Sequence, residues 1–528
     1  MKRSGDMRFL PVRSGSILVE LDDLKGALSL ASALSGNTVA GILEIVPAAR
    51  TVLVTFDPEQ IIEREVVNRI GALDLSTISP TIGPLVEIPV RYEGDDLAEV
   101  ASMLGISEKE VVERHTGSEY TVAFTGFAPG FAYLVGGDPK LSVPRRKSPR
   151  TRVTAGSVGL AGEFSGVYPK DSPGGWQLIG STPLVMFDAE REPAALLQPG
   201  FRVRFVKVPE ARSEIEATGR TQPMRASRSA GARLEILSTM FPILFQDEGR
   251  PGQSSQGISM SGAADQASYR IANRLVGNKP GVAALEITLG QAQFKAAGRM
   301  FLALTGAPAS LTVKKPNGTT RIAGRYEILA LDAGDAVSID APLRGVRSYL
   351  AVRGGFDVQR FAGSSSRDLL AQIGPPPLVA GAFANVLSVS GNAFVSAGEE
   401  EPFPMPSAGE TITLDVTLGP RDDWFTADSI QRFLSQPWTV TAQSSRVGLR
   451  LNGAPLERTD KRELPSEATV HGAIQVPANG LPLLFLNDHP VTGGYPVIAN
   501  VARHHLNLAA QLPPGVRLRF KHQSLPEK

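Results

Sequence analysis

Residues Pro173–Gly180 read P-G-G-W-Q-L-I-G, and Thr492–Ala499 read T-G-G-Y-P-V-I-A. Each follows a short apolar run broken by glycine: V-T-A-G-S-V (Val153–Val158) in one half, V-H-G-A-I (Val470–Ile474) in the other. Each precedes a Pro-Gly turn and a run of alternating arginines: P-G-F-R-V-R-F (Pro199–Phe205) and P-G-V-R-L-R-F (Pro514–Phe520). Gly175 lies 25 positions before Gly200, and Gly494 lies 21 before Gly515. Three motifs in one order at similar spacing mark an internal repeat. Period-two alternation makes its units strands. The chain is therefore read as repeated β domains closed as barrels, with a looser third copy over Phe301–Ile339.

Outward from the repeat, 528 residues leave room for three or four domains. The 53 glycines and 40 prolines fit turn-rich β structure. Residues 1–92 read as a small α/β unit in the order β-α-β-β-α-β, a ferredoxin-like pattern whose last strand is Val86–Tyr92. Residues 93–208 form the first repeat-bearing domain, and 209–232 are polar and aperiodic, as a linker is. Residues 233–395 and 396–528 complete the chain. The fold class is thus mainly β with α+β character.

Net charge is +1, which gives no long-range field for nucleic acid or an anionic membrane. With no cysteine there is no disulfide framework, thiolate zinc site or thiol nucleophile. The opening M-K-R-S-G-D-M-R-F-L-P-V lacks a signal peptide's apolar run, and no run reaches the ~18 residues of a membrane span. A cytoplasmic location is expected.

Between the first repeat's strands stands G-F-A-P-G-F-A-Y-L (Gly126–Leu134). Glycine permits close backbone approach and proline fixes φ, so this loop presents a shaped surface or makes tight turns. Its A-P-G-F core has no counterpart in the second half. Phe127, Pro129, Gly130 and Phe131 are therefore candidate ligand contacts, with Gly174, Gly175, Gly493 and Gly494. Trp176 and Tyr495, equivalent in the two repeats, either flank a flat amide ring or pack in a core. The loop Asp247–Asp265 opens onto a helix and carries Arg250, a setting that suits an anion or a capped structural loop. Gln246, Asp247, Gly262 and Asp265 belong to it. Arg145, Arg146, Lys147, Arg150 and Arg152 form either an anion-binding edge or a solvated surface. Asp488 is a general base or a turn residue. No Walker loop, G-x-S-x-G elbow or H-E-x-x-H spacing is present, and His504-His505 is read as a surface pair, so no metal is expected.

G-F-A-P-G-F-A-Y-L, P-R-R-K-S-P-R-T-R-V and S-P-G-G-W-Q-L-I-G-S-T-P resemble the allophanate hydrolase subunit 1 family, which includes the B component of 5-oxoprolinase and a sporulation kinase inhibitor. Q-D-E-G-R-P-G, S-G-A-A-D-Q-A-S-Y-R, A-A-L-E-I-T-L-G and S-S-R-V-G-L-R-L resemble the allophanate hydrolase subunit 2 family, which includes the C component of 5-oxoprolinase. The resemblance spans Leu10 to Phe520 and describes a fusion of the two. It implies cyclophilin-like barrels. It also implies an ATP-dependent opening of 5-oxoproline to glutamate with a separate A-type subunit, ATP acting through the assembled complex. The carboxyltransferase region of urea amidolyase is similar too, which implies transfer from biotin on a partner protein to urea or another small amide. The kinase-inhibitor likeness implies a non-catalytic regulator of a histidine kinase. In the enzymatic readings Arg250 and Arg446 hold an anionic group and Asp488 relays a proton. Gly363–Asp368 (G-S-S-S-R-D) departs from the family's G-S-R-S-T-D, placing Ser365 where an arginine is usual.

Overall fold

The computed structural model describes residues 2–4, 7–36, 39–75, 83–209, 231–388, 395 and 398–523. The expected linker at 209–232 therefore lies almost wholly outside the described residues.

The repeat is visible as topology. In the first half seven strands run in the spatial order 177–181, 157–161, 164–167, 132–135, 119–125, 202–207, 85–90. In the last unit the order is 497–501, 473–475, 483–485, 448–452, 438–440, 517–522, 411–418, closed into a barrel. The two orders correspond strand for strand. Arg202–Lys207 runs parallel to Leu85–Val90 and antiparallel to Glu119–Thr125. Arg517–His522 does the same with Thr411–Leu418 and Trp438–Val440. The Pro-Gly turns that launch these parallel strands place Gly200 and Gly515 at φ 86° and 90°, which only glycine adopts freely. The first sheet closes through paired backbone bonds between Arg91 and Ser181 at 2.9 and 2.8 Å. Inward residues of each barrel make its core, Ile88, Leu134 and Ile179 in one and Leu414, Leu449 and Ile498 in the other.

Between the barrels in sequence come a six-stranded and a five-stranded sheet over residues 233–385. Their inner faces share one core containing Ile236, Phe294, Leu304 and Leu350. The looser third copy differs here. Ala336–Ile339 pairs antiparallel with both its neighbours, as hairpin-linked strands do, and lacks the parallel partner of the two barrels.

The N-terminal unit corrects the ferredoxin-like expectation. Ser16–Glu20, Thr51–Phe56 and Ile42–Pro47 pair as that pattern requires. Its fourth strand, however, belongs to the first barrel, and Met7–Arg13 takes the vacant flank of Ser16–Glu20. A hairpin turning at Gly15 closes at far lower entropic cost than a return from residue 85. Pro11 disguises Met7–Arg13 as a non-strand; it sits beside a register shift in the pairing, where a proline is tolerated. Three helices carry side-chain caps at their starts: Asp23 accepts the Gly26 N–H, Ser107 that of Glu110, and Asp265 that of Ser268. Among the described residues no helix is long and apolar enough to cross a membrane.

Candidate functional site

The A-P-G-F loop joins strands Glu119–Thr125 and Ala132–Val135 and reverses through positive φ at Phe127 (63°) and Gly130 (76°). It is held from both neighbouring units. The Phe127 N–H donates to Thr492 Oγ1 at 3.2 Å, the Gly130 N–H to the Gln256 carbonyl at 2.9 Å, and Thr125 Oγ1 to the Ser254 carbonyl at 3.0 Å. Chain folding thus makes this loop the joint of the first barrel with the rest of the molecule.

Beside that joint opens a cleft of about 530 Å³ between the two barrels. Phe127 and Phe131 from the loop line it, with Gly174, Gly175 and Trp176 from one repeat and Gly493, Gly494 and Tyr495 from the other. Sequence segments more than 300 residues apart are thereby brought to one surface. The two aromatics differ in role. Trp176 is buried, edge-on to Phe131 at 5.2 Å and Tyr133 at 5.6 Å, whereas Tyr495 is 46% exposed. Burial raises the Tyr168 phenol to about 12 and also raises that of Tyr133, opposed at Tyr133 by Arg145 and by the Ser466 and Thr492 hydroxyls. Both phenols line the wall as neutral hydrogen-bonding groups. Pro129 and Gly130 do not line the cleft. Gly130 packs beneath it against Met186 and Phe187.

The cleft is basic. Arg145, Arg146 and Lys147 enter from one barrel and Arg458, Lys461 and Arg462 from the other, against a single carboxylate, Glu463. Some of these cations are committed. Arg146 and Arg150 both bind Asp96, at 2.6 and 2.7 Å; burial alone would raise that carboxyl, but the two guanidiniums and the Leu178 N–H hold it below its ordinary value. Arg152 pairs with Asp171, and Arg462 with Asp460. Arg145 reaches Glu463 only at 3.9 Å. Among the described residues no carboxylate lies within 4.0 Å of Lys147, Arg458 or Lys461. Sequence reasoning misses Arg458, Lys461 and Arg462, as well as Tyr133, Tyr168 and Thr492. The charge run R-T-D-K-R-E (Arg458–Glu463) is the available signal, but a solvated loop looks the same.

The expected catalytic trio, Asp488, Arg446 and Arg250, lies outside this cleft. Asp488 and Arg446 are buried where the middle sheets meet the last barrel. The Asp488 carboxylate accepts Arg446 Nε and Nη2 at 2.9 Å each, Ser261 Oγ at 2.7 Å and the Leu369 N–H at 3.0 Å. Four protein donors occupy its acceptor positions. Arg446 also donates to Glu286 at 2.6 Å and to the Gly262 carbonyl at 2.7 Å. Burial depresses the Arg446 guanidinium, but Asp488 and Glu286 more than reverse this and keep it charged. Arg250, fully buried, donates to the Ser366 carbonyl and lies over Phe361, with burial lowering its pKa.

The rest of the Asp247–Asp265 loop serves the same junction. Asp247 accepts from Ser364 and Ser366 hydroxyls and the Ser365 N–H, each at 2.6 Å. Gln246 donates to the Arg367 carbonyl, and Asp265 accepts from Gln511 at 2.9 Å. Ser365, at the family's usual arginine position, is thus part of the Asp247 cradle. Gln246, Asp247, Gly262 and Asp265 do not line the cleft. His504 and His505 bring three possible ligand atoms within 4.8 Å together with Asp415. These are closed by internal bonds: His505 Nδ1 accepts the Asp415 N–H at 2.9 Å, and His504 Nε2 and Gln523 Nε2 meet Asp415 Oδ2 at 3.1 and 2.5 Å.

Comparison with known proteins follows the same halves. The model of the carboxyltransferase domain, subdomains C and D, matches residues 7–197, and that of subdomains A and B matches residues 256–522. The chain is 35% identical to the C-type 5-oxoprolinase subunit of Escherichia coli (strain K12) over 297 residues, 56% of this chain and 92% of that one. It is 40% identical to the B-type 5-oxoprolinase subunit of Bacillus subtilis (strain 168) over 187 residues, 32% of this chain and 77% of that one. Urea amidolyase of Saccharomyces cerevisiae is 30% identical over 52% of this chain but only 16% of its own length. The crystal structure of TTHA0988 superposes with a TM-score of 0.81 at 32% identity, covering 96% of this chain and 99% of that one.

Proposed function

This chain belongs to the carboxyltransferase-domain family, joining both subunit types in one polypeptide, and from that premise we propose that it is the fused B and C component of a 5-oxoprolinase. In this reading it opens 5-oxoproline to glutamate with a separate A-type subunit, ATP entering through the assembled complex. One observation carries the reading: the A-P-G-F loop and both Gly-Gly-aromatic segments converge on a single basic cleft. A carboxylate-bearing lactam matches that lining. Cations from both barrels hold its carboxylate, Tyr495 and Phe127 lie against the ring, and backbone at the glycine pairs stabilises charge developing on the amide oxygen. The test is ATP hydrolysis dependent on 5-oxoproline after mixing with the cognate A-type subunit. Stimulated turnover, lost in Lys461→Ala, is expected; no turnover with the partner present sinks the proposal.

A second reading is favoured by the family match itself, which covers carboxyltransferase subdomains in both halves. Here the cleft accepts biotin carried on a partner protein and transfers its carboxyl group to urea or another small amide. Decarboxylation of supplied carboxybiotin on addition of the amide distinguishes it from the first.

A further inference from the structure

The strand after each Pro-Gly turn carries the same outward arginines in both barrels but not the same neighbours. Arg202 and Arg204 of the first barrel correspond to Arg517 and Arg519 of the last. In the first barrel Arg204 stands in register with Glu87 on one side and Glu119 on the other. Its guanidinium reaches Glu87 at 3.7 Å and Glu119 at 3.3 Å, and Arg202 also reaches Glu119 at 3.3 Å. The first barrel thus neutralises its own basic strand.

The last barrel lacks both carboxylates. Arg519 stands in register with Thr413, the counterpart of Glu87. On the other flank Arg517 pairs with Thr439 and Leu518 with Trp438, so the counterpart of Glu119 is Pro437. Lys521 adds a third cation where the first barrel has Val206. Arg517, Arg519 and Lys521 are all exposed. Arg517 donates to the neutral Gly409 carbonyl at 3.0 Å. Asp415, in register with Lys521, is engaged instead by His504 Nε2 and Gln523 Nε2 at 3.1 and 2.5 Å. Among the described residues no carboxylate lies within 4.0 Å of any of the three cations.

A strand holds successive outward side chains about 6.6 Å apart, so the three cations line roughly 13 Å of one sheet face. Thr411, Thr413 and Thr439 flank the row with short side chains, which lets a second surface come close. The first barrel shows what fits such a row: carboxylates carried on neighbouring protein strands. Arginine pairs well with a carboxylate of that kind, with two N–H donors available to its two oxygens. Nucleic acid fits less well, because a chain of net charge +1 has no long-range field to draw it in and three cations match few phosphates.

We propose that Arg517, Arg519 and Lys521 form a docking face for an acidic surface of a partner protein. The partner's carboxylates enter where Glu87 and Glu119 stand in the first barrel. The face is separate from the cleft, and none of its three cations lines the cleft.

The test is fluorescence anisotropy of labelled poly-L-glutamate titrated with the full chain at low salt, beside labelled duplex DNA and sedimentation with phosphatidylserine vesicles. Wild type is expected to bind poly-L-glutamate, more weakly as salt is raised. Arg519→Glu/Lys521→Glu should weaken that binding at least about tenfold. Thr413→Glu keeps every cation and installs the carboxylate that the first barrel has; it should weaken binding comparably. Both variants change only exposed side chains and should melt where wild type does. The proposal is overturned if wild type does not bind poly-L-glutamate, or if both variants bind it as wild type does. Tighter binding of DNA or vesicles than of poly-L-glutamate, lost in the same variants, also overturns it and assigns the face to that other partner.

Discussion

Thr492 of the last barrel rests directly on Gly126 of the first: a Cβ on Gly126 would lie 2.0 Å from Thr492 Oγ1. The same oxygen accepts the Phe127 N–H at 3.2 Å. Gly126→Ala must push the barrels apart or break that bond, at a cost of about 1–3 kcal/mol. Thr492→Gly removes every side-chain atom the methyl would strike. Denaturant midpoints of the two single variants and the double variant should therefore show coupling on the order of 1 kcal/mol. Strict additivity would show that the two residues do not bear on each other in solution.

The Arg446–Asp488 pair predicts a defect in stability and not in chemistry. Removing one partner of a buried pair leaves the other charge uncompensated, a loss of about 3–5 kcal/mol. Arg446→Met strands Asp488 and leaves Glu286 with only Arg347 at 3.6 Å, so it should unfold at markedly lower denaturant than wild type. Asp488→Asn should also destabilise, yet its turnover per folded molecule should stay near wild type. A general base would behave in the opposite way, losing turnover with its midpoint unchanged.

These two sites show what the sequence makes legible. The barrels are readable because a strand's period and its Pro-Gly turn are local, and two copies confirm each other. The A-P-G-F loop stands out because it lacks a second copy. The pairing of Asp488 with Arg446 is not legible, because a charged residue in a loop reads alike whether it meets substrate or a partner 42 positions away. Arg458 and Lys461 give only a charge run that a solvated loop shares, since it is the opposite barrel's Lys147 entering the same cleft that sets them apart. Val86–Tyr92 reads locally as a strand of the N-terminal unit because only the parallel pairing with Arg202–Lys207 fixes its place in the barrel.

Trp176 and Tyr495 hold one repeat position but should respond differently to truncation. Trp176→Ala opens a cavity among Phe131, Tyr133 and Tyr168 and should cost about 3–5 kcal/mol. Tyr495→Ala, at an exposed position, should change stability by no more than about 0.5 kcal/mol. Its effect should appear as a raised KM for the amide with kcat little changed, because it removes contact with bound substrate and not with the reacting atoms. A Tyr495→Ala variant with unaltered KM would take the ring out of the site.

His115 sets an acid limit on the first barrel. It is fully buried, stacked on Phe205 at 4.3 Å and held between the Tyr92 hydroxyl on Nδ1 at 2.7 Å and Ser165 Oγ on Nε2 at 2.9 Å. Burial lowers its pKa to about 3. In the unfolded chain it titrates near 6.5, so below that pH the unfolded state binds a proton the folded state refuses. The group's contribution to stability is therefore whole above about pH 6.5 and is lost as pH falls toward 3, a span on the order of 4 kcal/mol. His115→Gln lacks this titration. It should be less stable than wild type at pH 7, and the gap should narrow steadily as pH falls through 6 and 5. Parallel stability curves for the two proteins over that range would mean that His115 is protonated within the fold.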